Sequence, residues 1–213
     1  MPHTQRAITD AAALKALAHP LRMDLLESLV LHGPRTATQL ADLLGESPSN
    51  CSWHLRKLAQ HGFVEEVTGT PGRNRPWRAA SEGLVWGEGE EDAETSAAGD
   101  ALTDLLLERE MTRLRASREA EPREPPEWRV ASTLSQSQLW LTADEAKEIA
   151  DRLRDLLLSH IERTHDPSLR PEGARLVSLV GWLAPRPLPA EPSPAPKQPA
   201  DPEGPRPAEG ETP

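Results

Sequence analysis

Apolar residues recur at helical spacing through the first third of the chain, and turn-forming residues divide this pattern into four segments. The spacing predicts helices over residues 11–18, 21–31, 37–44 and 47–60. Residues 21–31 are apolar around much of the helical circumference, so this helix is expected at the centre of a core. Gly45 and Glu46 leave only a tight turn between the third and fourth helices, which is typical of a helix-turn-helix.

The fourth predicted helix has two chemically different faces. Ser47 and Pro48 are suited to its first turn, and Cys51, Leu55 and Leu58 form a narrow apolar stripe. The opposite face presents Ser49, Trp53, Arg56 and Gln60, with Ser52 and Lys57 on the flanks. Arginine can bind a guanine edge, glutamine an adenine edge, and an indole can cover a thymine methyl group. The pattern therefore predicts a DNA-recognition helix, although Trp53 packed against a neighbouring hairpin remains an alternative.

The residues after this helix predict a β-hairpin. Residues 63–67 and 75–79 have strand character, and the intervening T-G-T-P-G-R-N is typical of a turn. Pro76 removes one backbone donor, which favours an edge position. Arg73, Arg75 and Arg78 lie near the tip and on the return strand, where they could contact phosphates or belong to a solvated loop.

Charge is distributed unevenly along the chain. The formal net charge is −10, but residues 1–80 contain nine Lys/Arg against seven Asp/Glu, whereas the remainder contains fifteen against twenty-seven. Local basic clusters, rather than a strongly basic domain, would therefore carry DNA affinity. One cysteine, Cys51, excludes an internal disulfide and a cysteine-based zinc site. The N-terminus has no apolar run and no membrane span is expected, so a cytoplasmic location is predicted.

The runs K-A-L-A-H-P-L-R, T-Q-L-A-D-L-L and S-W-H-L-R-K-L, followed by H-G-F-V-E-E, closely resemble the ArsR-type winged-helix repressors over about residues 8–80. The resemblance implies a homodimeric transcriptional regulator that binds an inverted-repeat operator. Ser49, Ser52, Trp53, His54, Arg56 and Lys57 match the DNA-facing helix of this family, and Arg73, Asn74 and Arg75 match its wing tip. Asn50 and Gln60, on the same predicted helix, complete the expected set of DNA-binding residues. Metal-sensing members carry a Cys-x-Cys pair near the first helix of the motif, and residues 37–44 contain no thiol, so no metal site or cofactor is expected.

The remaining sequence predicts a second region and two unstructured segments. A helix over residues 97–118 has two apolar faces and is expected to mediate dimerisation. Strands at 128–134 and 176–183, with a capped amphipathic helix from Thr142 to Ile161 between them, suggest a small α+β region. The predicted organisation is a winged helix-turn-helix domain (1–80), an acidic linker (81–96), a helical or α+β dimerisation or effector region (97–184) and a Pro-rich disordered tail (185–213). The fold class is mainly α, with a small β component.

Two further groups of residues are candidate functional sites. His160 and His165 lie near Glu162 and Asp166, but His160 is expected on the apolar stripe and His165 beyond the helix end, so structural roles are favoured over metal binding. Cys51 is expected to be a buried, inert thiol, and His54 either donates to a phosphate or braces the helix.

The sequence contains no glycine-rich phosphate loop, nucleophile elbow or H-E-x-x-H motif, so no catalytic residue is assigned and an enzyme is not expected. We therefore predict a homodimeric DNA-binding regulator, most readily a repressor that does not sense metals, with double-stranded DNA as its partner. A winged-helix module that docks onto another protein is the alternative. A third possibility keeps the DNA-binding function and adds a small apolar effector, of unknown identity, bound in the α+β region.

Overall fold

The computed structural model describes residues 5–68, 75–81, 83–87 and 92–186. The described elements, in chain order, are β1 (Gln5–Ala7), α1 (Ala11–Leu17), α2 (Pro20–His32), α3 (Ala37–Leu44), α4 (Pro48–Gln60), β2 (Val64–Glu66), β3 (Trp77–Ala79), β4 (Gly83–Val85), α5 (Ala93–Ala120), α6 (Pro126–Ala131), α7 (Ala143–Leu158) and α8 (Glu162–His165). The chain divides into two units, residues 1–181 and 182–213. Of the second unit, the structure describes residues 182–186, which form neither helix nor strand.

The four N-terminal helices confirm the sequence prediction, and side-chain caps explain where three of them begin. The Asp10 carboxylate accepts from the Ala13 amide at 2.8 Å, which starts α1. Thr36 and Gln39 form a reciprocal capping box at the start of α3. The Ser47 hydroxyl accepts from the Asn50 amide at 3.2 Å, and Pro48 occupies the first turn of α4. Each cap satisfies backbone amides that lack a partner within the helix.

The core lies among α1, α2, α3 and α4 and is closed by the first turns of α5. Its fully buried large side chains are Ile8, Leu14, Leu25, Leu40, Leu55, Leu58, Phe63, Val64 and Leu102. α1 packs against α5, while α2 packs against α3, α4 and β3. The two helices of the helix-turn-helix, α3 and α4, are therefore held in place by a continuous apolar core.

The predicted hairpin is confirmed. β2 and β3 are antiparallel, with Val64 opposite Ala79, Glu65 opposite Arg78 and Glu66 opposite Trp77. Arg35 extends this sheet because its backbone exchanges two hydrogen bonds with Trp77, at 2.7 and 3.0 Å. The turn residues 69–74, which include Arg73 and Asn74, lie outside the described residues.

A second, unpredicted pairing joins distant parts of the chain. β1 runs parallel to β4, with Gln5, Arg6 and Ala7 opposite Gly83, Leu84 and Val85. Each strand has only three residues, which is too short for an alternating pattern to stand out in the sequence. This pairing brings residues beyond position 80 into contact with the N-terminus of the chain.

α5 begins at Ala93 rather than at residue 97, because Asp92 caps it. The Asp92 carboxylate accepts from the amides of Glu94 and Thr95, both at 2.9 Å. The end of the predicted acidic linker is thus the first turn of a helix, where negative charge is favourable. Residues 88–91 of that linker lie outside the described residues, as does the predicted Pro-rich tail beyond residue 186.

The C-terminal region is helical, and the two strands predicted there are wrong. Residues 126–131 form α6, because Pro126 occupies the first helical turn and the Trp128 carbonyl accepts from the Ser132 amide. Residues 176–183 form neither helix nor strand, and no strand of the described residues pairs with them. The capping box of Thr142 and Glu145 is present, yet α7 ends at Leu158 rather than at Ile161.

Candidate nucleic-acid interface

The turn between α3 and α4 sets the direction of the candidate recognition helix. Gly45 adopts a left-handed conformation (φ 68°, ψ 31°), and the Glu46 amide donates to the Ala41 carbonyl at 3.0 Å. Glycine adopts this conformation without steric cost. Ser47 then caps α4, so only three residues separate the two helices of the motif.

The two faces of α4 are as the sequence predicts. Cys51, Leu55 and Leu58 are completely buried in the core. On the outer side, half of the Trp53 surface is exposed, Ser49, Asn50, Arg56 and Gln60 are exposed, and Ser52 and Lys57 are half-buried. The outer side therefore presents an indole, a guanidinium, an amide and hydroxyl groups on a helix whose opposite side is fixed in the core.

Two basic side chains on this helix have no carboxylate partner within the described part of the chain. Neither Arg56 nor Lys57 forms an ion pair with any residue that the structure describes. A guanidinium and an ammonium group that are not engaged within the protein remain available to phosphates and base edges. Asn50, by contrast, donates from its side chain to Glu46 Oε2 at 3.0 Å, so a base contact by Asn50 would require this hydrogen bond to open.

His54 differs from the other predicted contact residues because it is buried. Only 5% of its surface is exposed, and its ring lies 4.5 Å from the ring of His19. Burial is the main cause that lowers the pKa of His54, and the nearby charges of His19 and Arg22 lower this pKa further. The neutral ring therefore braces α4 against the start of α2.

The described arginines of the wing are paired with glutamates. Arg75 Nη1 lies 3.2 Å from Glu66 Oε2, and Arg78 Nη2 lies 2.6 Å from Glu65 Oε1. All four side chains are exposed, so each ion pair contributes little to stability and can open at small cost. Arg35 lies beside this sheet through its backbone pairing with Trp77. Arg35 is not recognisable as a wing residue from the sequence, because its nearness to the wing depends on a backbone bridge between distant residues.

Cys51 and the C-terminal histidines lie where no site is assembled. The Cys51 thiol is buried, and this burial is the main cause that raises its pKa, so the protonated, unreactive form is favoured. The expectation that His160 lies on an apolar helix stripe is wrong, because α7 ends at Leu158 and His160 is exposed. Within the described ranges, no group of three or more His, Cys, Asp or Glu side chains could hold a metal ion.

Helix length and polarity also bear on membrane insertion. None of the helices in the described part of the chain is long and apolar enough to cross a lipid bilayer.

Comparison with known proteins places the motif in a family of domains. The helix-turn-helix domain family matches residues 17–67, which run from the end of α1 to the residue after β2. A search of curated proteins finds no match.

Three solved structures are similar to parts of the chain. The homodimeric winged helix-turn-helix DNA-binding domain of Mb0332 from Mycobacterium bovis, described as a possible ArsR-family transcriptional regulator, is 23% identical, with 48% of this chain and 77% of that chain covered and a TM-score of 0.31. RV1404 from Mycobacterium tuberculosis is 17% identical, with 55% and 71% covered and a TM-score of 0.28. The transcriptional regulator Tm0710 from Thermotoga maritima is 16% identical, with 73% and 87% covered and a TM-score of 0.27.

The family match and the observed geometry agree. Residues 17–67 contain the two motif helices, the Gly45 turn and the first strand of the hairpin, and β3 completes the wing. The N-terminal region of this chain is a winged helix-turn-helix domain, and its residues 17–67 match the helix-turn-helix domain family.

Proposed function

We propose that the protein is a homodimeric regulator that binds an inverted-repeat operator through α4 and acts as a transcriptional repressor. The observation that carries this proposal is the outer face of α4, on which Trp53, Arg56 and Gln60 are exposed opposite a fully buried stripe. An α-helix fits the major groove, and these side chains match the donor and acceptor pattern of base edges. The rest of the domain serves to hold this helix in place.

The proposed contacts fall into two groups. Trp53, Arg56 and Gln60 read bases, while Lys57 and the hydroxyls of Ser49 and Ser52 contact the sugar-phosphate backbone. Arg75 contacts phosphates from the wing, and Arg73 and Asn74 are assigned the same role from the sequence alone. Asn50 is retained as a contact that requires its hydrogen bond to Glu46 to open. His54 is left out of the contact set because it is buried, and Arg35 is added to it.

The proposed dimer rests on α5. One side of this helix is buried in the core at Ala98 and Leu102, whereas Leu107 and Met111 farther along remain 41% and 38% exposed. A helix that is apolar on a second, exposed side is well suited to pack against a second copy of itself. A two-fold axis through such an interface would place the two α4 helices in successive major grooves, about 34 Å apart.

The proposal includes neither a metal ion nor an organic cofactor. The one thiol of the chain is buried within α4, where a ligand could not reach it without disrupting the core. No catalytic step is proposed either, because the described polar side chains of the α4 surface form no pair of nucleophile and base.

The experiment that tests this proposal is selection of fragmented genomic DNA by the purified full-length protein, followed by sequencing of the retained fragments. We expect an inverted repeat with half-sites about one helical turn apart, and an affinity that falls steeply as salt is raised. Placement of the repeat upstream of a reporter promoter then tests the sign of regulation, and repression is expected.

Retention of DNA fragments that share no sequence, with an affinity that depends only weakly on salt, would instead favour the protein-docking function. The observation that favours protein docking is the pairing of Arg75 with Glu66 and of Arg78 with Glu65, because these ion pairs lower the positive charge of the wing. Stoichiometric co-purification of a partner protein would then identify the surface that is used.

A further inference from the structure

A cavity of about 410 Å³ lies between α2 and α5. Residues of β4 and α8 and residues 176–178 also line it. Its volume falls within the range of sites that hold small organic molecules, roughly 300–1,000 Å³. The cavity is distinct from the α4 surface, and no role in the proposed DNA contacts is assigned to the residues around it.

The walls of the cavity are mainly apolar. Leu26 and Val30 project from α2, Leu84 and Trp86 from the β4 segment, and Leu106 from α5. The indole N–H of Trp86 is already satisfied, since it donates to Thr103 Oγ1 at 3.0 Å. This part of the cavity therefore offers dispersion and hydrophobic contact rather than hydrogen bonds, and suits an apolar ligand body.

One edge of the cavity carries a cluster of charged side chains. Arg109 Nη2 lies 2.7 Å from Asp24 Oδ1 and also contacts Glu27. Arg113 Nη1 donates to Glu27 Oε1 at 2.8 Å and to Glu110 Oε1 at 3.0 Å. The cluster thus ties α5 to α2.

The pairing within this cluster selects the kind of ligand. Two acidic and two basic side chains of the cluster line the cavity, and Asp24 binds Arg109 from outside this lining. Both guanidiniums are already engaged by carboxylates, and the side chains of Arg109 and Glu110 are only 17% and 18% exposed. An anionic ligand would have to displace an existing pair, whereas a neutral or cationic group would not.

We propose that this cavity binds one neutral or cationic amphipathic small molecule per chain. Its apolar body lies between Leu26, Val30 and Leu106, and its polar end faces Glu27 and Glu110. The ligand would thereby connect α2, which packs against α4, with α5, which carries the proposed dimer surface. It would act as an effector only if the proposed function holds, but binding itself is independent of DNA.

The test is titration of the full-length protein, without DNA, with the neutral fluorescent probe 1-aminoanthracene. We expect saturable binding of one probe per chain. Competition with octyltrimethylammonium and with nonanoate, both below their micelle concentrations, then compares a cationic and an anionic amphiphile of similar length. We expect the cation to displace the probe at an at least tenfold lower concentration, because both guanidiniums at the edge of the cavity are already paired with carboxylates and are not available to an anion.

Two variants locate the probe. Leu106→Trp fills the cavity and should weaken probe binding at least tenfold, whereas Leu43→Trp, at an exposed leucine on α3, should leave binding unchanged. Glu110→Gln keeps the shape of the edge and should reduce the preference for the cationic competitor. Thermal melts of each variant establish that it is folded, and Glu110→Gln provides the test if Leu106→Trp does not fold.

Three outcomes would overturn the proposal. Binding unaffected by Leu106→Trp in a folded protein would place the probe elsewhere, and preference for nonanoate would contradict the charge argument. Probe binding that disappears as the protein self-associates would assign the cavity to the subunit interface. DNA is absent from these titrations. A negative titration would therefore not contradict the proposed DNA binding, and a failure to bind DNA would not contradict ligand binding in the cavity.

Discussion

The imidazole rings of His19 and His54 lie 4.5 Å apart, centroid to centroid, with a tilt of 42° between their planes. His19 caps α2, where its Nδ1 accepts from the Leu21 amide at 3.2 Å, and His54 lies in the middle of α4. The indole of Trp53 meets the His54 ring edge-on at 4.7 Å. The exposed indole of Trp53 on the proposed reading face therefore rests on the contact that joins α4 to the start of α2.

This contact predicts that the protein is less stable in mild acid. Burial is the main cause that lowers the pKa of both rings, and the charge of Arg22 lowers both further. In the unfolded chain each imidazole has a pKa of about 6.5, so below about pH 6.5 the unfolded state binds more protons than the folded state. The free energy of unfolding should therefore fall as the pH decreases from about 7.5 to about 5.5, as measured by urea denaturation.

The control for this prediction compares two histidine substitutions. His54→Gln should reduce the slope of stability against pH, whatever it does to the absolute stability. His32→Gln, at the exposed end of α2, should leave the slope as in the wild type. Equal slopes for wild type and His54→Gln would mean that His54 does not contribute to the acid sensitivity.

Arg56 is predicted to contribute to both affinity and base preference. Arg56→Ala should cost roughly 1–3 kcal/mol of binding free energy and relax the preference at one position of the operator. Binding to a library of single-base operator variants measures both quantities. Arg115→Ala removes the same charge from an exposed position on α5 and should change neither. An Arg56→Ala protein with wild-type affinity and preference would show that the reading face is wrongly assigned.

Trp53 and Leu55 lie two residues apart on α4, but their substitution should affect different properties. Trp53 should matter for operator binding and Leu55 for the free energy of unfolding. Trp53 is half exposed, so Trp53→Ala should weaken operator binding with only a small change in the free energy of unfolding. Leu55 is completely buried, so Leu55→Ala should reduce that free energy by roughly 2–5 kcal/mol. Denaturation curves and operator titrations of the two variants separate these effects, and a large loss of stability in Trp53→Ala would assign Trp53 a packing role.

The N-terminal helices could be predicted from the sequence because local interactions determine them. The capping box of Thr36 and Gln39, the Gly45 turn and the Cys51, Leu55 and Leu58 stripe all involve residues within one or two turns of each other. Such signals are visible in any short window of sequence. The exposure of the α4 outer face follows from the same periodicity.

Contacts between distant residues could not be predicted in this way. His54 lies next to the buried stripe, and its burial depends on the presence of His19 at the start of another helix. The pairing of β1 with β4 likewise depends on the tertiary fold. The predicted strand at 128–134 was wrong because alternating apolar residues in a short window are also compatible with a helix, and Pro126 decided the outcome.

The wing provides a prediction in which substitutions increase affinity. Glu65 and Glu66 pair with Arg78 and Arg75, and all four side chains are exposed. Replacement of both glutamates by glutamine frees the two guanidiniums and removes two negative charges from a surface proposed to face phosphates. Operator affinity should rise several-fold, and the slope of log affinity against log salt should steepen by about one to two. Unfolding free energy should change by less than about 1 kcal/mol per pair, because exposed ion pairs contribute little.

The matched control is Glu119→Gln on the exposed surface of α5, which should leave both affinity and salt dependence unchanged. If the double glutamine variant binds the operator with unchanged affinity and slope, the wing does not approach phosphates, and DNA contact is confined to α4.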